Sequence, residues 1–495
     1  MEQNRPRRSR SRDTNNARRD DEFVTSREHA RSDERRSARN NPPTKSRGND
    51  TFFIVLIVVT LIGLAGAGFI VWRTLSHGNA NTASSQVASS QTSSVVEQTT
   101  TNEESPERSA AEQASSSTEQ STQSPRSTTP ATINLIMVGD VLMHDELVSS
   151  GETGNGYNFD FLFEHTAPYY GDSDLRILNQ ETVMGEPERG YLLTMGALGP
   201  IMNTPTALAD SEVRYGFNTI LKATNHTLDC GYSGLAHELD YWTSTYPNVQ
   251  VIGVNNPNDL GTNSPRNYVD NVYIYEKDGF KVGILNYTWA TNESVDYSTD
   301  EQVISYMSKD KVREDVEKAR AAGAEMLIAC PHWGIEYDTT PSEEEMTYSK
   351  LFTELGVDLI LGSHPHILQR VEILKNSEGH KTLCYYSMGN YVAASLMDED
   401  SLIGGVARVS LSRDANGSYS ITSADLVPTV ICHTYGPNMT AWPLSEYTDA
   451  LAASSNRPNL TPAYAYDFCE NVLGSGFNSS TGIYTVDLDA EPRLV

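Results

Sequence analysis

One long apolar segment divides this chain of 495 residues into parts that face different surroundings. The segment from Phe52 to Trp72 contains no charged residue over its 21 positions. At about 1.5 Å per residue, a helix of that length crosses a hydrocarbon core of about 30 Å. The apolar core of a cleaved signal peptide is shorter, at about 7 to 15 residues. We therefore predict a single uncleaved transmembrane helix over residues 52–72.

The charge on either side of this segment predicts where each part lies. Residues 1–50 carry 14 Lys/Arg and 9 Asp/Glu, whereas the remaining residues carry 23 Lys/Arg and 56 Asp/Glu. By the positive-inside rule the basic tail, which is polar enough to be disordered, is cytoplasmic and the main part is extracytoplasmic. The net charge of −33 on that main part excludes nucleic acid as a partner, because phosphate binding requires clustered Lys and Arg.

Residues 73–130 connect the apolar segment to the first periodic sequence. They consist mainly of Ser, Thr, Gln and Glu. Such a segment has too few apolar side chains to offset the entropy of folding. We predict a flexible Ser/Thr-rich stalk that holds the folded part away from the membrane.

From residue 131 onward, short β-rich segments alternate with helical windows, which predicts an α/β fold. The predicted strands are 133–138, 175–178, 249–254, 272–275, 280–287, 325–330, 358–362, 381–387 and 406–411. Asp278-Gly279 predicts a hairpin turn, and Lys309 to Ala322 has the apolar spacing of an amphipathic helix. Internal antiparallel pairs are therefore expected. Residues 413–495 carry no motif, and we predict a C-terminal extension that packs on the same domain.

Polar side chains follow directly after several predicted strands, where the loops of α/β sheets bind ligands. Those suited to metal coordination or proton transfer are Asp140, His144, Glu181, Asn225, His226, Asp229, His332, His364 and His366. Imidazole nitrogen combined with carboxylate oxygen suits Zn, Mn or Fe, and a pair of ions requires a bridging carboxylate. The sequence predicts a divalent transition-metal site, most simply with two ions, in which Asp140 or Glu181 is the bridge.

Six motifs in order carry a resemblance to a known family. They are Gly139-Asp140 with His144, Asn179-x-Glu181, Asn225-His226 with Asp229, His332-Trp333-Gly334-x-Glu336-Tyr337, His364-Pro365-His366 with Gln369, and Tyr386 to Tyr391. Over about residues 131–412 the chain resembles the CapA family of poly-gamma-glutamate capsule synthesis proteins, which is related to calcineurin-like metallophosphoesterases. The resemblance implies a metallophosphatase-like fold, with two packed sheets flanked by helices and a dinuclear metal site at the strand ends.

The resemblance also implies roles for individual residues. The implied metal ligands are Asp140, Glu181, Asn225, His332, His364 and His366. His226 would protonate the leaving group, and Asp229 would orient His226. The chain departs from the phosphoesterase motif D-x-H, because Leu142 stands at the histidine position and His144 follows it. Either His144 supplies the missing ligand, or the first metal is under-coordinated and the site is mononuclear or weak.

Further residues near the motifs are candidates for substrate contact, namely Lys222, Trp333, Glu336, Tyr337 and Asn390. Lys222 could hold an anionic substrate, with a solvated surface position as the alternative. Trp333 and Tyr337 either line a groove or pack beside their loop. Glu336 could instead accept a hydrogen bond from a ligating imidazole.

The resemblance implies a role in the synthesis, export or anchoring of an anionic cell-surface polymer, with the polymer or its synthase complex as partner. As a hydrolase, the protein would use metal-activated water against a phosphoester or a polyglutamate amide, with His226 as general acid. A non-catalytic assembly factor that binds the polymer or its synthase is the alternative from another class. A metallophosphodiesterase acting on other substrates is a third interpretation.

Overall fold

The computed structural model describes residues 128–191, 194–196, 199–260, 272–394, 398–434 and 439–495. The predicted tail (1–50) and transmembrane helix (52–72) lie outside these ranges, as does the predicted stalk up to residue 127. Within the ranges, no helix combines the length and apolar character needed to cross a bilayer. The N-terminal assignments therefore stay predictions.

The described residues form a mixed α/β arrangement. In chain order, the strands are β1 (Ala131–Val141), β2 (Glu152–Thr153), β3 (Gly156–Tyr157), β4 (Leu175–Gln180), β5 (Thr194–Met195), β6 (Pro200–Ile201), β7 (Thr219–Leu221), β8 (Gln250–Ile252), β9 (Tyr273–Lys277), β10 (Phe280–Thr288), β11 (Met326–His332), β12 (Leu359–Leu361), β13 (Val371–Lys375), β14 (Lys381–Tyr385), β15 (Asn390–Val392), β16 (Ile403–Arg413), β17 (Tyr419–Cys432), β18 (Thr440–Pro443), β19 (Phe477–Asn478), β20 (Ile483–Thr485) and β21 (Arg493–Leu494). The α-helices are α1 (Asp145–Ser150), α2 (Ala207–Arg214), α3 (Gly231–Thr245), α4 (Tyr297–Val303), α5 (Lys309–Ala321), α6 (Glu343–Glu354), α7 (Asp449–Ser454) and α8 (Pro462–Leu473).

Two large mixed sheets contain most of the strands. The first has the order β19-β20-β17-β16-β1-β4-β7-β8, with β15 paired to β1 and β18 paired to β17. Strands β1, β4, β7 and β8 are parallel neighbours, whereas β16 and β17 pair antiparallel beside β1. The second sheet has the order β21-β13-β14-β12-β11-β10-β9, and β10, β11, β12 and β14 are parallel in it. Each sheet therefore gathers the carboxyl ends of several parallel strands at one edge.

Alternate side chains along the central strands pack on opposite faces of each sheet, as the pleat of a strand requires. Leu135 and Met137 of β1 belong to an apolar cluster that also contains Ile284 and Ile328 of the second sheet, so this cluster fills the space between the sheets. Ile136, the alternate residue on β1, packs instead with helices α2 and α3. Helices α5 and α6 cover the outer face of the second sheet. The predicted two-sheet sandwich with flanking helices is confirmed.

Local sequence signals account for several element boundaries. The Asp278-Gly279 turn joins the antiparallel strands β9 and β10, with both residues at positive φ, as predicted. Helix α5 begins where the Ser308 side chain accepts a hydrogen bond from the Lys311 backbone N–H. Helix α6 begins with a capping box in which Ser342 and Glu345 exchange hydrogen bonds.

The last part of the chain contributes to both sheets. Strand β17 pairs along the length of β16, and β21 joins the edge of the second sheet beside β13. Helix α8 packs Phe468 and Leu473 into the cluster between the sheets. Residues 413–495 thus share the core of the residues before them.

Candidate metal centre

The carboxyl ends of strands from both sheets meet at one buried site. The motif residues that converge there are Asp140 at the end of β1, Glu181 after β4, Asn225 after β7, His332 at the end of β11, and His364 and His366 after β12. All of them are at least 95% buried, with exposed fractions of 0% to 4%. The six implied metal ligands therefore share one site.

Asp140 connects the two sheets. Its Oδ1 accepts a hydrogen bond from Asn179 Nδ2 at 2.8 Å, while its Oδ2 lies 3.2 Å from His366 Nδ1. The His364 backbone N–H also donates to Oδ2, at 3.1 Å. Just before Asp140, a Cβ on Gly139 would lie 2.0 Å from the Gly389 carbonyl oxygen, so only glycine allows this close approach.

Glu181 is a buried carboxylate without hydrogen bonds. Neither of its oxygens has a hydrogen-bond partner, although Oε1 lies 3.2 Å from His332 Nε2 and 3.7 Å from His366 Nε2. Burial alone would raise the pKa of Glu181, but the nearby imidazoles of His332 and His366 outweigh burial and lower it. The carboxylate is therefore held in its ionised, ligand-competent form.

His332 is oriented through both ring nitrogens. Its Nδ1 lies 3.0 Å from Ser363 Oγ, and its Nε2 lies 2.8 Å from Asn225 Oδ1. A serine hydroxyl at Nδ1 fixes the ring while Nε2 faces the carbonyl oxygen of Asn225 and the Glu181 carboxylate. This places nitrogen and two kinds of oxygen ligand around one point.

Backbone conformations that L-residues rarely adopt concentrate in the loops of this site. His364, His366 and Tyr337 have φ values of 97°, 60° and 63°. Among the described non-glycine residues, only Asp278 in the β9-β10 turn shares a positive φ. Each such residue costs about 1–3 kcal/mol, so surrounding contacts must hold it. The loop after β12 is therefore constrained to present both imidazoles.

The donor set fits a divalent metal. Three groups of residues each offer ligand atoms that lie within 4.8 Å of one another. They are Glu181 with His332 and His364, Asp140 with Glu181 and His366, and Glu336 with His364 and His366. Glu181 belongs to two groups, as a bridging carboxylate would. The Glu181 oxygens and His364 Nδ1 are buried without partners, which is costly unless something binds them. These residues form a buried group that can bind a metal.

His226 and Asp229 form a separate pair beside these ligands. His226 Nδ1 lies 2.7 Å from Asp229 Oδ2, which also accepts a hydrogen bond from the Met202 backbone N–H. Burial would lower the pKa of His226, but the Asp229 carboxylate outweighs burial and raises it. His226 is therefore suited to hold a proton, as the resemblance implies for a general acid.

Lys222, a candidate for substrate contact, lies neither at a cleft nor at a solvated surface in this structure. Its side chain is fully buried, with Nζ 3.1 Å from Glu238 Oε2 and hydrogen-bonded to the Thr182 carbonyl oxygen. Glu238 in turn accepts hydrogen bonds from Gln180 Nε2 and the Met184 backbone N–H. The ion pair therefore holds the segment on which Glu181 lies.

Trp333 is also buried, and it packs beside its loop, which is the second of its two interpretations. Its Nε1 donates a hydrogen bond to the Tyr386 carbonyl oxygen at 2.9 Å, and its ring packs on Phe352 of α6. Asn390 is 1% exposed, and its Oδ1 lies 3.1 Å from His366 Nδ1, so it orients an imidazole instead of contacting a substrate.

Glu336 and Tyr337 lie at the outer rim of the site. Glu336 is exposed, and Tyr337 is partly buried with its ring centroid 5.8 Å from that of His366. Both positions are compatible with contact to a molecule that approaches the buried imidazoles.

The positions of Leu142 and His144 bear on whether His144 supplies the ligand that is missing from the phosphoesterase motif. Leu142 packs in the cluster between the sheets. His144 Nδ1 accepts a hydrogen bond from the Ala394 backbone N–H at 3.2 Å, and burial together with nearby His366 lowers the pKa of His144 to about 4. His144 belongs to none of the metal-binding groups found among the described residues.

Several site residues escaped the sequence analysis. Trp289 follows β10, and its Nε1 donates to His364 Nε2 at 3.2 Å. Asn292 lies in the same loop, with Nδ2 3.4 Å from His226 Nε2. The available signal was their position after a buried strand, because that strand end lies beside the others at the sheet edge.

The part of the chain that matches a known family contains the site. The model of the family described as "Bacterial capsule synthesis protein PGA_cap" matches residues 134–395. The chain belongs to this capsule synthesis family. The match contains every residue implied as a ligand, and the predicted resemblance to CapA proteins is confirmed.

Two curated relatives support the assignment. Capsule biosynthesis protein CapA of Bacillus anthracis is 26% identical over 264 residues, which cover 52% of this chain and 59% of the relative. PGA biosynthesis protein CapA of Bacillus subtilis (strain 168) is 21% identical over 213 residues, which cover 42% of this chain and 51% of the relative. The chain therefore matches between about half and three fifths of the length of these relatives.

The chain is also similar to several solved structures. A putative 5'-nucleotidase from Staphylococcus aureus has a TM-score of 0.39 and 19% identity, and the match covers 60% of this chain and 54% of that one. The calcineurin-like phosphoesterase YfkN from Bacillus subtilis has a TM-score of 0.35 and 15% identity, with 61% and 91% covered.

Proposed function

We propose that this capsule synthesis family member is a metal-dependent hydrolase that acts on an anionic cell-surface polymer or its precursor. The observation that carries the proposal is Glu181, a buried carboxylate that has no hydrogen bond and lies 3.2 and 3.7 Å from the imidazoles of His332 and His366. A buried acid–imidazole pair, His226 with Asp229, lies beside it. Ligands without partners next to a proton donor are typical of hydrolytic metal sites.

Different residues of the site would bind the metal and transfer the proton in such a reaction. Asp140, Glu181, Asn225, His332, His364 and His366 would hold the metal. When bound, divalent ions supply Lewis-acid polarisation of a carbonyl or phosphoryl oxygen. His226 would give its Nε2 proton to the leaving group, while Asp229 keeps Nδ1 hydrogen-bonded and the ring in place. Asn292, 3.4 Å from His226 Nε2, would contact the same leaving group.

The proposed location follows from the N-terminal sequence. A helix over residues 52–72 would anchor the protein, with the basic tail in the cytoplasm and the site outside the membrane. The main part of the chain is strongly acidic, so a polyanionic substrate would depend on the positive charge of the metal site for attraction. The substrates favoured by this chemistry are a polyglutamate amide or a phosphoester.

A non-catalytic assembly factor is the second candidate. The observation that favours it is Leu142, which packs in the apolar core and leaves one phosphoesterase ligand position without a donor. Such a protein would keep the fold and one metal, and would bind the polymer or its synthase.

Metal analysis of the full-length protein separates these candidates. We expect about two equivalents of Mn or Zn in the wild type and loss of both in a His364→Ala/His366→Ala double variant. Hydrolysis of polyglutamate and of phosphoester model substrates would then be measured with the loaded protein. A folded wild type that takes up no metal when Mn or Zn is offered contradicts the hydrolase proposal.

A further inference from the structure

We propose that Glu336 is a further metal ligand, on the solvent side of the site. This inference rests on the proposed metal centre and adds a residue to it. Glu336 lies in the loop after β11, whereas Leu142 follows β1. The ligand would therefore come from a different strand end and from the other sheet.

The position of the Glu336 carboxylate is the first observation. One of its oxygens lies within 4.8 Å of ligand nitrogens of both His364 and His366. Those two imidazoles are buried, with exposed fractions of 2% and 4%, whereas Glu336 is exposed. A carboxylate that reaches from the rim toward two buried imidazoles completes a three-donor group of the kind that binds Mn or Zn.

A free imidazole lone pair in this group is the second observation. His366 Nδ1 lies 3.2 Å from Asp140 Oδ2 and 3.1 Å from Asn390 Oδ1, and these two acceptors place the ring proton on Nδ1. The lone pair of His366 Nε2 is then available to a cation. An ion held by Glu336 would bind to it.

The backbone around Glu336 is tied to the loop that carries the two histidines. The Tyr337 backbone N–H donates to the Pro365 carbonyl oxygen at 2.8 Å, and Gln369 Nε2 donates to the Asp338 carbonyl oxygen at 2.9 Å. On the other side, a Cβ on Gly334 would lie 2.7 Å from the Glu345 carboxyl carbon. These contacts hold the loop so that Glu336 faces the imidazoles.

Two other positions considered for a further ligand, both in the first motif, are engaged elsewhere. Leu142 has no donor atom, and it packs between the sheets. His144 Nδ1 accepts the Ala394 backbone N–H. An exposed carboxylate ligand also differs from the buried ones in a useful way, because it can move aside and leave a coordination position open to substrate.

The test is Mn²⁺ binding to the full-length protein, measured by electron paramagnetic resonance of the free ion and by titration calorimetry. Glu336→Gln removes the charged ligand and keeps the size of the side chain. Asp338→Asn is the matched control, since it removes one charge from the same loop at an exposed residue that is in no metal-binding group found in the described part of the chain. Far-UV circular dichroism checks that both variants fold.

We expect Glu336→Gln to weaken binding of one Mn²⁺ equivalent by at least about tenfold, with the other equivalent and the Asp338→Asn control unchanged. Wild-type affinity for both equivalents in Glu336→Gln would overturn the inference. An equal loss in the two variants would also overturn it, because general electrostatics would then explain the effect. A wild type that binds no Mn²⁺ would instead contradict the proposed function itself.

Discussion

A buried ion pair packs against residues 180–184, a buried carboxylate lies within them, and the two differ in how their charges are satisfied. On one side, Lys222 and Glu238 pair with each other and with backbone groups of the segment. On the other, the Glu181 carboxylate lies among imidazoles without a hydrogen bond. The contrast shows that burial of charge alone does not mark a site. What distinguishes the ligand group is a carboxylate without hydrogen bonds that lies beside several imidazoles.

The largest expected effect is on stability and concerns the paired side. Lys222→Met would leave Glu238 buried without its cation, so we expect the free energy of unfolding to fall by about 3–5 kcal/mol. Urea denaturation followed by tryptophan fluorescence measures it. The control is Lys350→Met, which breaks a half-exposed pair with Glu354 and should cost less than about 1 kcal/mol. Equal losses in the two variants would contradict the distinction.

The next largest effect concerns Glu181 and the stabilisation of the protein by Mn²⁺. Glu181→Gln removes the proposed bridging ligand, so Mn²⁺ should no longer stabilise the protein. At a free concentration of about 100 times the dissociation constant, the wild type should gain about 2.7 kcal/mol from the ion. Thermal unfolding with and without Mn²⁺ gives the comparison. Unfolding of the variant without metal should stay close to that of the wild type, and a normal Mn²⁺ response in the variant would count against the bridge.

A third prediction uses the carboxyl group next to the ion pair. Burial, reinforced by the nearby Glu238, raises the pKa of Glu212 from 4.5 to about 8, and neither Glu212 oxygen has a hydrogen-bond partner. The native state therefore binds this proton more tightly than the unfolded chain does. Stability from this group is fully present below about pH 4.5 and is lost as the pH rises to about 8, with a slope of about 1.4 kcal/mol per pH unit.

Glu212→Gln should remove that slope. The free energy of unfolding, measured by urea denaturation between pH 5 and 8, should fall less steeply in the variant than in the wild type. Glu343→Gln, at an exposed position on α6, serves as the control and should keep the wild-type slope. An unchanged slope in Glu212→Gln would show that another group dominates the pH dependence.

The smallest expected effect concerns Ser363, which contacts the proposed ligand His332. Ser363→Ala removes the hydroxyl 3.0 Å from His332 Nδ1. We expect about tenfold weaker Mn²⁺ binding with little change in unfolding, since the ring would keep its place but lose its orienting partner. Calorimetric titration of Mn²⁺ measures the change. Unaltered affinity would mean that Asn225 and Glu181 orient His332 without the serine.

Much of the arrangement followed from local pattern. Strand periodicity located β1, β4, β10 and β11 to within a few residues, because alternation of buried side chains is a short-range signal. Strand ends with polar residues indicated the convergent site, because parallel strands place their carboxyl ends at one edge.

The directions in which individual side chains point could not be predicted from the sequence. Lys222 and Trp333 both stand beside motif residues, yet they point into the protein, toward Glu238 and Phe352 respectively. Conversely, Trp289 was not singled out, although it contacts His364, 75 positions away in sequence. Contacts between distant segments decide these directions, and no local spacing encodes them.

By itself, the sequence determined the strands, the flanking helices, the loops that carry the ligands and the membership in a capsule synthesis family. Local propensity and the order of motifs suffice for these, since each depends on neighbours along the chain. Only the tertiary structure decided that Glu181 lies among imidazoles without a hydrogen bond while Lys222 is paired with Glu238, and that Glu336 reaches the imidazoles from the rim. Those outcomes depend on packing between two sheets, where a donor finds or lacks its acceptor only after the distant strands have come together.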